Sequence, residues 1–304
     1  MQIQTSALIG MGAIGTVYGH ALHEAYGGRF SVIAKGSRAE KLRATGAVLN
    51  GGTFFPKVTS PEKPDFAPEL IIICVKNPQL EEAIEDMRPF VGKNTCLLPL
   101  LNGISARDKL KEAFPENIVF YGLTRVGAIR TESGVSNSER GTIQFGHADN
   151  RSPAPEVLAV QDHLTEAGIH TEVCEDMMRA QWLKWMLNVG CNQVSAVTRA
   201  ETGQLLGIEL ITQLLVEAMQ EVITLAQAYS IDLTAEDAER MISTMRKYSP
   251  VHGKTSMLQD VEAQRLTEVD SFAGTVLQLG KETGVPTPVN HVLYNLIKSI
   301  EQMY

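Results

Sequence analysis

The chain has 304 residues, a length that suggests about two domains, each able to bury a core without disulfide or metal staples. With 44% hydrophobic and 20% charged residues it lies outside the disordered and low-complexity classes. Its formal net charge of −8 disfavours a general nucleic-acid or anionic-membrane surface, so any bound anion must be held by local groups.

The first half alternates short apolar runs with helical patterns. Thr5–Ile9 leads into a glycine loop and a helical pattern reaching about Tyr26. Phe30–Ala34, a helix from about Arg38, Leu70–Val75, another helical pattern and Thr95–Leu101 follow. Runs that are apolar throughout and separated by helices predict a parallel sheet covered on both faces. After about Ile118 the pattern changes, and Gly134–Gly146 predicts a hairpin or antiparallel extension. From about Met177 the period is helical over Met178–Arg199, Ile208–Tyr229, Glu236–Tyr248, Val261–Lys281 and Val289–Met303. Thr234-Ala-Glu-Asp predicts a helix start, and Thr283-Gly-Val-Pro-Thr-Pro a stop and restart. The expected fold is therefore α/β, a Rossmann-type doubly wound parallel sheet over residues 1–176, followed by an all-α domain over 177–304.

Four scattered cysteines without C-x-x-C spacing suggest reduced thiols and a cytoplasmic setting. No signal peptide is read at the N-terminus, and no apolar run approaches the ~18 residues of a membrane span. The seven histidines give no metal pattern; His20 and His23 lack a third ligand.

Gly10-x-Gly12-x-x-Gly15 lies between a strand and a helix, the context that gives this spacing a mechanism. Gly10 permits the tight turn, Gly12 admits a pyrophosphate close to the backbone, and Gly15 allows close helix–strand packing. The loop, with Met11, Ala13 and Ile14 between its glycines, is thus a candidate dinucleotide site. About 20 residues on, where NAD sites usually place an acid, the chain reads Ala34-Lys35-Gly36-Ser37-Arg38. Lys35 and Arg38 suit the 2′-phosphate of NADP(H); Ser37-x-x-Glu40 is also a capping box for the next helix. Lys76 and Asn102 each follow an apolar strand, so both are expected at the carboxyl edge of the sheet beside the glycine loop.

In the second half, Lys184, Asn188 and Asn192 recur at i, i+4, i+8 and form one polar stripe on a helix otherwise rich in Trp, Leu, Met and Val. Such a stripe is costly to bury unless it faces a wet cleft or satisfied partners. Lys184 is a candidate general acid for a carbonyl oxygen, provided its ordinary pKa of ~10.4 falls towards neutrality. A Schiff base is the alternative lysine chemistry. Glu268, expected within a helix, is read either as a substrate or lysine partner or as an exposed carboxylate.

These pieces resemble the ketopantoate reductases (2-dehydropantoate 2-reductases) over almost the whole chain. They are Gly10-Met-Gly-Ala-Ile-Gly15, Val75-Lys76, Leu101-Asn102-Gly103, Trp182-Leu-Lys184 with Asn188 and Asn192, Ser256-Met-Leu-Gln-Asp260 and Thr267-Glu268-Val-Asp270. The resemblance implies reduction of 2-dehydropantoate to (R)-pantoate by NADPH, on the route to pantothenate and coenzyme A. It implies Lys184 as general acid and Glu268 as a catalytic or orienting carboxylate. By the same likeness Asn188, Asn192 and Asn102 bind substrate, Ser256 takes its carboxylate, and Lys76 and Asn102 contact the cofactor. Lys35 stands where the family usually has arginine, and Gly253 where some members have a substrate-binding asparagine. A reductase of another 2-oxo acid, a 3-hydroxyacid dehydrogenase-like enzyme and a non-catalytic NADP(H) sensor are the alternatives. The expected partner is a small 2-oxo acid, with no nucleic acid or membrane and with a homodimer left open. The active site is expected in a cleft between the two domains.

Overall fold

Four tetrapeptides without an exposed residue form the centre of the first of two units into which the chain divides, one running to Met178 and the other from Arg179 to Tyr304. The structure, a computed structural model, describes residues 2–304. In chain order the first unit contains β1 (Ser6–Ile9), α1 (Ala13–Tyr26), β2 (Phe30–Ile33), α2 (Gly36–Thr45), β3 (Ala47–Leu49), β4 (Gly52–Phe54), β5 (Lys57–Thr59) and β6 (Leu70–Ile73). It continues with α3 (Leu80–Met87), β7 (Cys96–Pro99), α4 (Ala106–Ala113), β8 (Ile118–Val119), β9 (Tyr121–Arg125), β10 (Ala128–Thr131), β11 (Gly134–Asn137), β12 (Thr142–Gly146), α5 (Pro155–Glu166) and β13 (His170–Glu172).

Six of these strands pair in the order β5-β2-β1-β6-β7-β8, every ladder parallel. In register, Leu8 lies between Val32 and Ile72, and Ile72 lies beside Leu98. Alternation then assigns the two faces. Leu8, Val32, Ile72 and Leu98 share one core with Val17, Tyr18 and Leu22 of α1 and Val157, Val160 and Leu164 of α5. Ala7, Ile33, Ile71 and Leu97 share the other with Leu80, Ala83, Ile84 and Met87 of α3 and Leu110 of α4. A strand buried on both sides has no polar face to show, which is why these segments read as continuous apolar runs.

The segment Gly134–Gly146 forms no hairpin of its own; each of its strands has one antiparallel neighbour, as expected of an extension, and one parallel neighbour. Its two strands enter different sheets: β11 pairs with β10 and with β3, while β12 pairs with β9 and β13. The start of α2 is also displaced. Lys35, extended at φ −126° and ψ 166°, takes the N-cap, so Ser37 and Glu40 fall inside the helix and the expected Ser37–Glu40 capping box is absent.

The second unit takes nearly all of α6 (Met177–Thr198), then α7 (Thr202–Gly207), α8 (Glu209–Ala228), α9 (Ala235–Tyr248), α10 (Ser256–Glu262), α11 (Ala273–Thr283) and α12 (Pro288–Glu301). Thr234 caps α9, its backbone N–H donating to Asp237 Oδ2 at 3.1 Å. Gly284, left-handed at φ +76°, ends α11, and Pro288 occupies the first turn of α12. The expected helix Val261–Lys281 is divided: α10 ends at Glu262, a 3₁₀ turn covers Val269–Ser271, and α11 begins at Ala273. The physical cause is local. Gln264 turns left-handed at φ +51°, and Arg265 folds back, its backbone N–H on Asp260 O and its Nε on Asp260 Oδ1. Among the described residues no helix is long and apolar enough to cross a membrane, and no group of three or more His, Cys, Asp or Glu side chains is placed to hold a metal ion.

Candidate functional site

The loop between β1 and α1 is held against the backbone that follows β6. Gly10 has φ +100°, and a Cβ there would stand 2.6 Å from the carbonyl carbon of Cys74; one on Gly15 would stand 1.9 Å from Gly10 O. Neither position admits a side chain. Gly12 differs: nothing lies within 4 Å of where its Cβ would be. Gly12 is the N-cap of α1 and no side chain caps that end, so the first-turn N–H groups of Ala13, Ile14 and Gly15, with the positive end of the helix dipole, face a position open to an anion. These residues fit a nucleotide pyrophosphate. Met11, Ala13 and Ile14 are partly buried and pack onto the core, which fixes the loop.

Lys76 and Asn102 stand at the same edge. The ladder continues past the strands, with Cys74 N–H donating to Ile9 O and Leu100 N–H to Ile73 O. Asn77 then donates from Nδ2 to Asn102 O at 2.9 Å, tying the loop after β6 to the loop after β7. Lys76 caps the 3₁₀ turn Asn77–Gln79 and is exposed; Asn102 is half-buried. The glycine loop, Lys76 and Asn102 are thus gathered at the carboxyl ends of three neighbouring strands. Asn77 was not singled out from the sequence, although its adjacency to Lys76 at a strand end was a usable signal.

At the end of β2 the two cations differ. Arg38 is exposed and, among the described residues, makes no hydrogen bond or ion pair. Lys35 is engaged, its Nζ 2.7 Å from Asp86 Oδ1 and 3.2 Å from Glu82 Oε1 on α3. The hydrogen bond to Asp86, then that to Glu82, holds its ammonium above the usual lysine range. Separated from Lys35 by 51 positions, Asp86 gave no local signal.

In the second unit, Lys184 and Asn188 are half-buried on α6 and Asn192 is 8% exposed. Trp182 and Trp185, both buried, meet edge to face with centroids 5.2 Å apart. Asn192 Nδ2 reaches Ser256 Oγ at 3.5 Å, so two of the expected substrate residues are neighbours although 64 positions separate them. Ser256 opens α10, whose N-cap Thr255 accepts from Leu258 N–H. Glu268 is not in a helix, contrary to expectation: it caps the 3₁₀ turn Val269–Ser271 and is only 8% exposed. That turn is anchored on α6, Trp185 Nε1 donating to Ser271 O at 3.0 Å, and is preceded by Thr267, which donates from N and Oγ1 to Glu301. The reading of Glu268 as an ordinary exposed carboxylate is therefore excluded by its burial.

Two family models match the chain: ketopantoate reductase PanE/ApbA over residues 6–150, and ketopantoate reductase PanE/ApbA C terminal over residues 176–301. A 2-dehydropantoate 2-reductase of Pyrococcus horikoshii is 27% identical over 300 residues, covering 97% of both chains. The crystal structure of a PanE/ApbA family ketopantoate reductase from Ralstonia eutropha JMP134 superposes with a TM-score of 0.84 at 25% identity, covering 98% of this chain and 99% of that one. A D-mandelate dehydrogenase solved with NADH and anilino(oxo)acetate shares the fold, with a TM-score of 0.88 at 22% identity and coverage of 98% and 99%.

Proposed function

The chain belongs to the ketopantoate reductase family, and from that premise we propose that it reduces the ketone of 2-dehydropantoate to the alcohol of (R)-pantoate with NADPH. The observation that carries this reading is the stripe Lys184–Asn188–Asn192, with Ser256 against Asn192 and the buried Glu268 on a turn anchored to the same helix. A cationic donor and uncharged amides on an apolar helix match what 2-dehydropantoate, a hydroxylated 2-oxo acid, requires: a proton for the ketone oxygen and hydrogen bonds for its carboxylate and hydroxyl.

The first unit is read as the nucleotide domain and the second as the substrate domain. Gly10, Met11, Gly12, Ala13, Ile14 and Gly15 would hold the pyrophosphate, Lys35 and Arg38 the ribose 2′-position, and Lys76 and Asn102 the nicotinamide side. The bound nucleotide supplies the hydride. Lys184 holds the proton delivered to the ketone oxygen, and Glu268 orients Lys184 or the substrate hydroxyl. Asn188, Asn192, Asn102 and Ser256 fix the substrate so that one face of its carbonyl is presented.

Oxidation of NADPH by the purified chain, measured with 2-dehydropantoate and a panel of other 2-oxo acids, tests this reading. The expected result is a kcat/KM for 2-dehydropantoate well above the rest. Reduction of the panel without that preference would favour a second reading, a reductase of another branched 2-oxo acid. One feature supports that alternative. Position 253 is glycine, and a Cβ there would come within 3.0 Å of Pro250 O and Thr202 Oγ1, so no side chain contributes to substrate selection from this position.

A further inference from the structure

In doubly wound sheets of this kind the residue standing just past the second strand reads the 2′-position of a bound nucleotide's ribose. Here it is Lys35, and its side chain does not project alone. Nζ donates to Asp86 Oδ1 at 2.7 Å and lies 3.2 Å from Glu82 Oε1. The two carboxylates are i and i+4 on α3 and so share one face. They are also fixed in place: Leu80, Ala83, Ile84 and Met87 of α3 are buried in one core with Ile33 of β2, the strand that leads to Lys35. The lysine stem is flexible and its acceptors are not. Asp86 is the better shielded of the pair, its side chain 15% exposed against 50% for Glu82, so screening by solvent weakens its hold least.

One cation and two anions leave this cluster with a net negative charge, at the point where a 2′-phosphate would bring more. We propose that Asp86, assisted by Glu82, is a specificity-determining residue that competes with a 2′-phosphate for Lys35 and so narrows the chain's preference for NADPH over NADH. A 2′-phosphate must draw Lys35 away and leave the Asp86 carboxylate nearby with its partner lost; a 2′-hydroxyl demands neither. Arg38, exposed and outside this cluster, stays available to a 2′-phosphate, so the preference is narrowed rather than reversed. The inference rests on the nicotinamide-nucleotide reading of the first unit and deepens it.

Isothermal titration of the full-length chain with NADPH and with NADH tests the idea without recourse to turnover. Asp86→Asn keeps the shape and removes the charge. It should tighten NADPH by about five- to tenfold while leaving NADH within about twofold. Glu82→Gln, on the more exposed partner, should shift the ratio the same way by less, and serves if Asp86→Asn folds poorly. Adding Lys35→Ala to Asp86→Asn should abolish the gain. Equal tightening of both nucleotides, an unchanged ratio, or a gain that survives Lys35→Ala would overturn the proposal alone. Binding of neither nucleotide by the unaltered chain would overturn the nucleotide reading as well.

Discussion

Lys184 is half-buried on a helix whose neighbouring Trp182 and Trp185 are almost fully buried. An ammonium group in that setting can donate a proton where bulk water would otherwise compete. If it is the acid for the ketone oxygen, Lys184→Ala should lower kcat by about 10²- to 10⁴-fold, the usual contribution of a positioned acid. The dissociation constant for NADPH should stay within about twofold, because no part of the nucleotide site named in the first unit is altered. Steady-state kinetics beside a direct binding titration checks both halves, and unchanged turnover removes the role. Gly10 and Gly12 differ in their surroundings: a Cβ at Gly10 would meet the backbone of Cys74, while one at Gly12 would meet nothing. The strand–glycine–helix order made both legible in the sequence. The ion pair of Lys35 with Asp86 was not, since nothing about two charges 51 positions apart signals that the fold will bring them together.

At the scale of elements, the central strands β1, β2, β6 and β7 were legible because burial on both faces leaves each one largely apolar, whereas the short β5 and β8 at the rims of the same sheet gave no such run. The break in the segment expected as a single helix, Val261–Lys281, was not. Its stop is a left-handed glutamine, Gln264, rather than the glycine or proline that usually marks one. The short α7 escaped for a related reason, having too few residues to show a period. The helix with the clearest tertiary support is α12. Glu221 of α8, 9% exposed, accepts from Val289 N–H at 2.7 Å, Asn290 N–H at 3.0 Å and Asn290 Nδ2 at 2.7 Å. A single carboxylate from another helix thus caps the first turn of α12. Glu221→Ala should destabilise the chain by about 2–4 kcal/mol, combining loss of a cap with buried donors left unpaired, and Glu221→Gln by less. Denaturant titration of both variants checks the order as well as the size.

At the scale of the whole molecule, the dependence of stability on pH should carry the mark of one buried histidine. His163 of α5 is 2% exposed, bonds Ser6 Oγ of β1 at 2.9 Å, and stacks on Tyr26 at the end of α1 with centroids 4.1 Å apart. Burial pushes its pKa down from 6.5 to about 4, outweighing a hydrogen bond with the backbone of Ile3 and the opposing charges of Glu166 and Glu69. The folded chain therefore keeps this ring neutral where the unfolded chain binds a proton. Stability from this group is complete above pH 6.5. It is lost as pH falls towards about 4, by up to about 1.4 kcal/mol per unit and at most about 3 kcal/mol in all. His163→Gln, less stable at neutral pH, should lack this slope between pH 6.5 and 4. Melting temperatures of the two proteins across that window would show it, and parallel curves would remove the assignment.

The large sheet ends in very short strands. Its outer members are β5, with three residues, and β8, with two. A strand that short exposes only a few backbone donors and acceptors along its free edge, and β5 opens on Lys57, itself ion-paired with Asp65 at 2.6 Å. The apolar centre of the sheet is thus bounded laterally by two short rims, one of which opens on a charged residue. Together with the net charge of −8, this should disfavour edge-to-edge pairing of the large sheet with that of another copy, a consequence of where its strands stop.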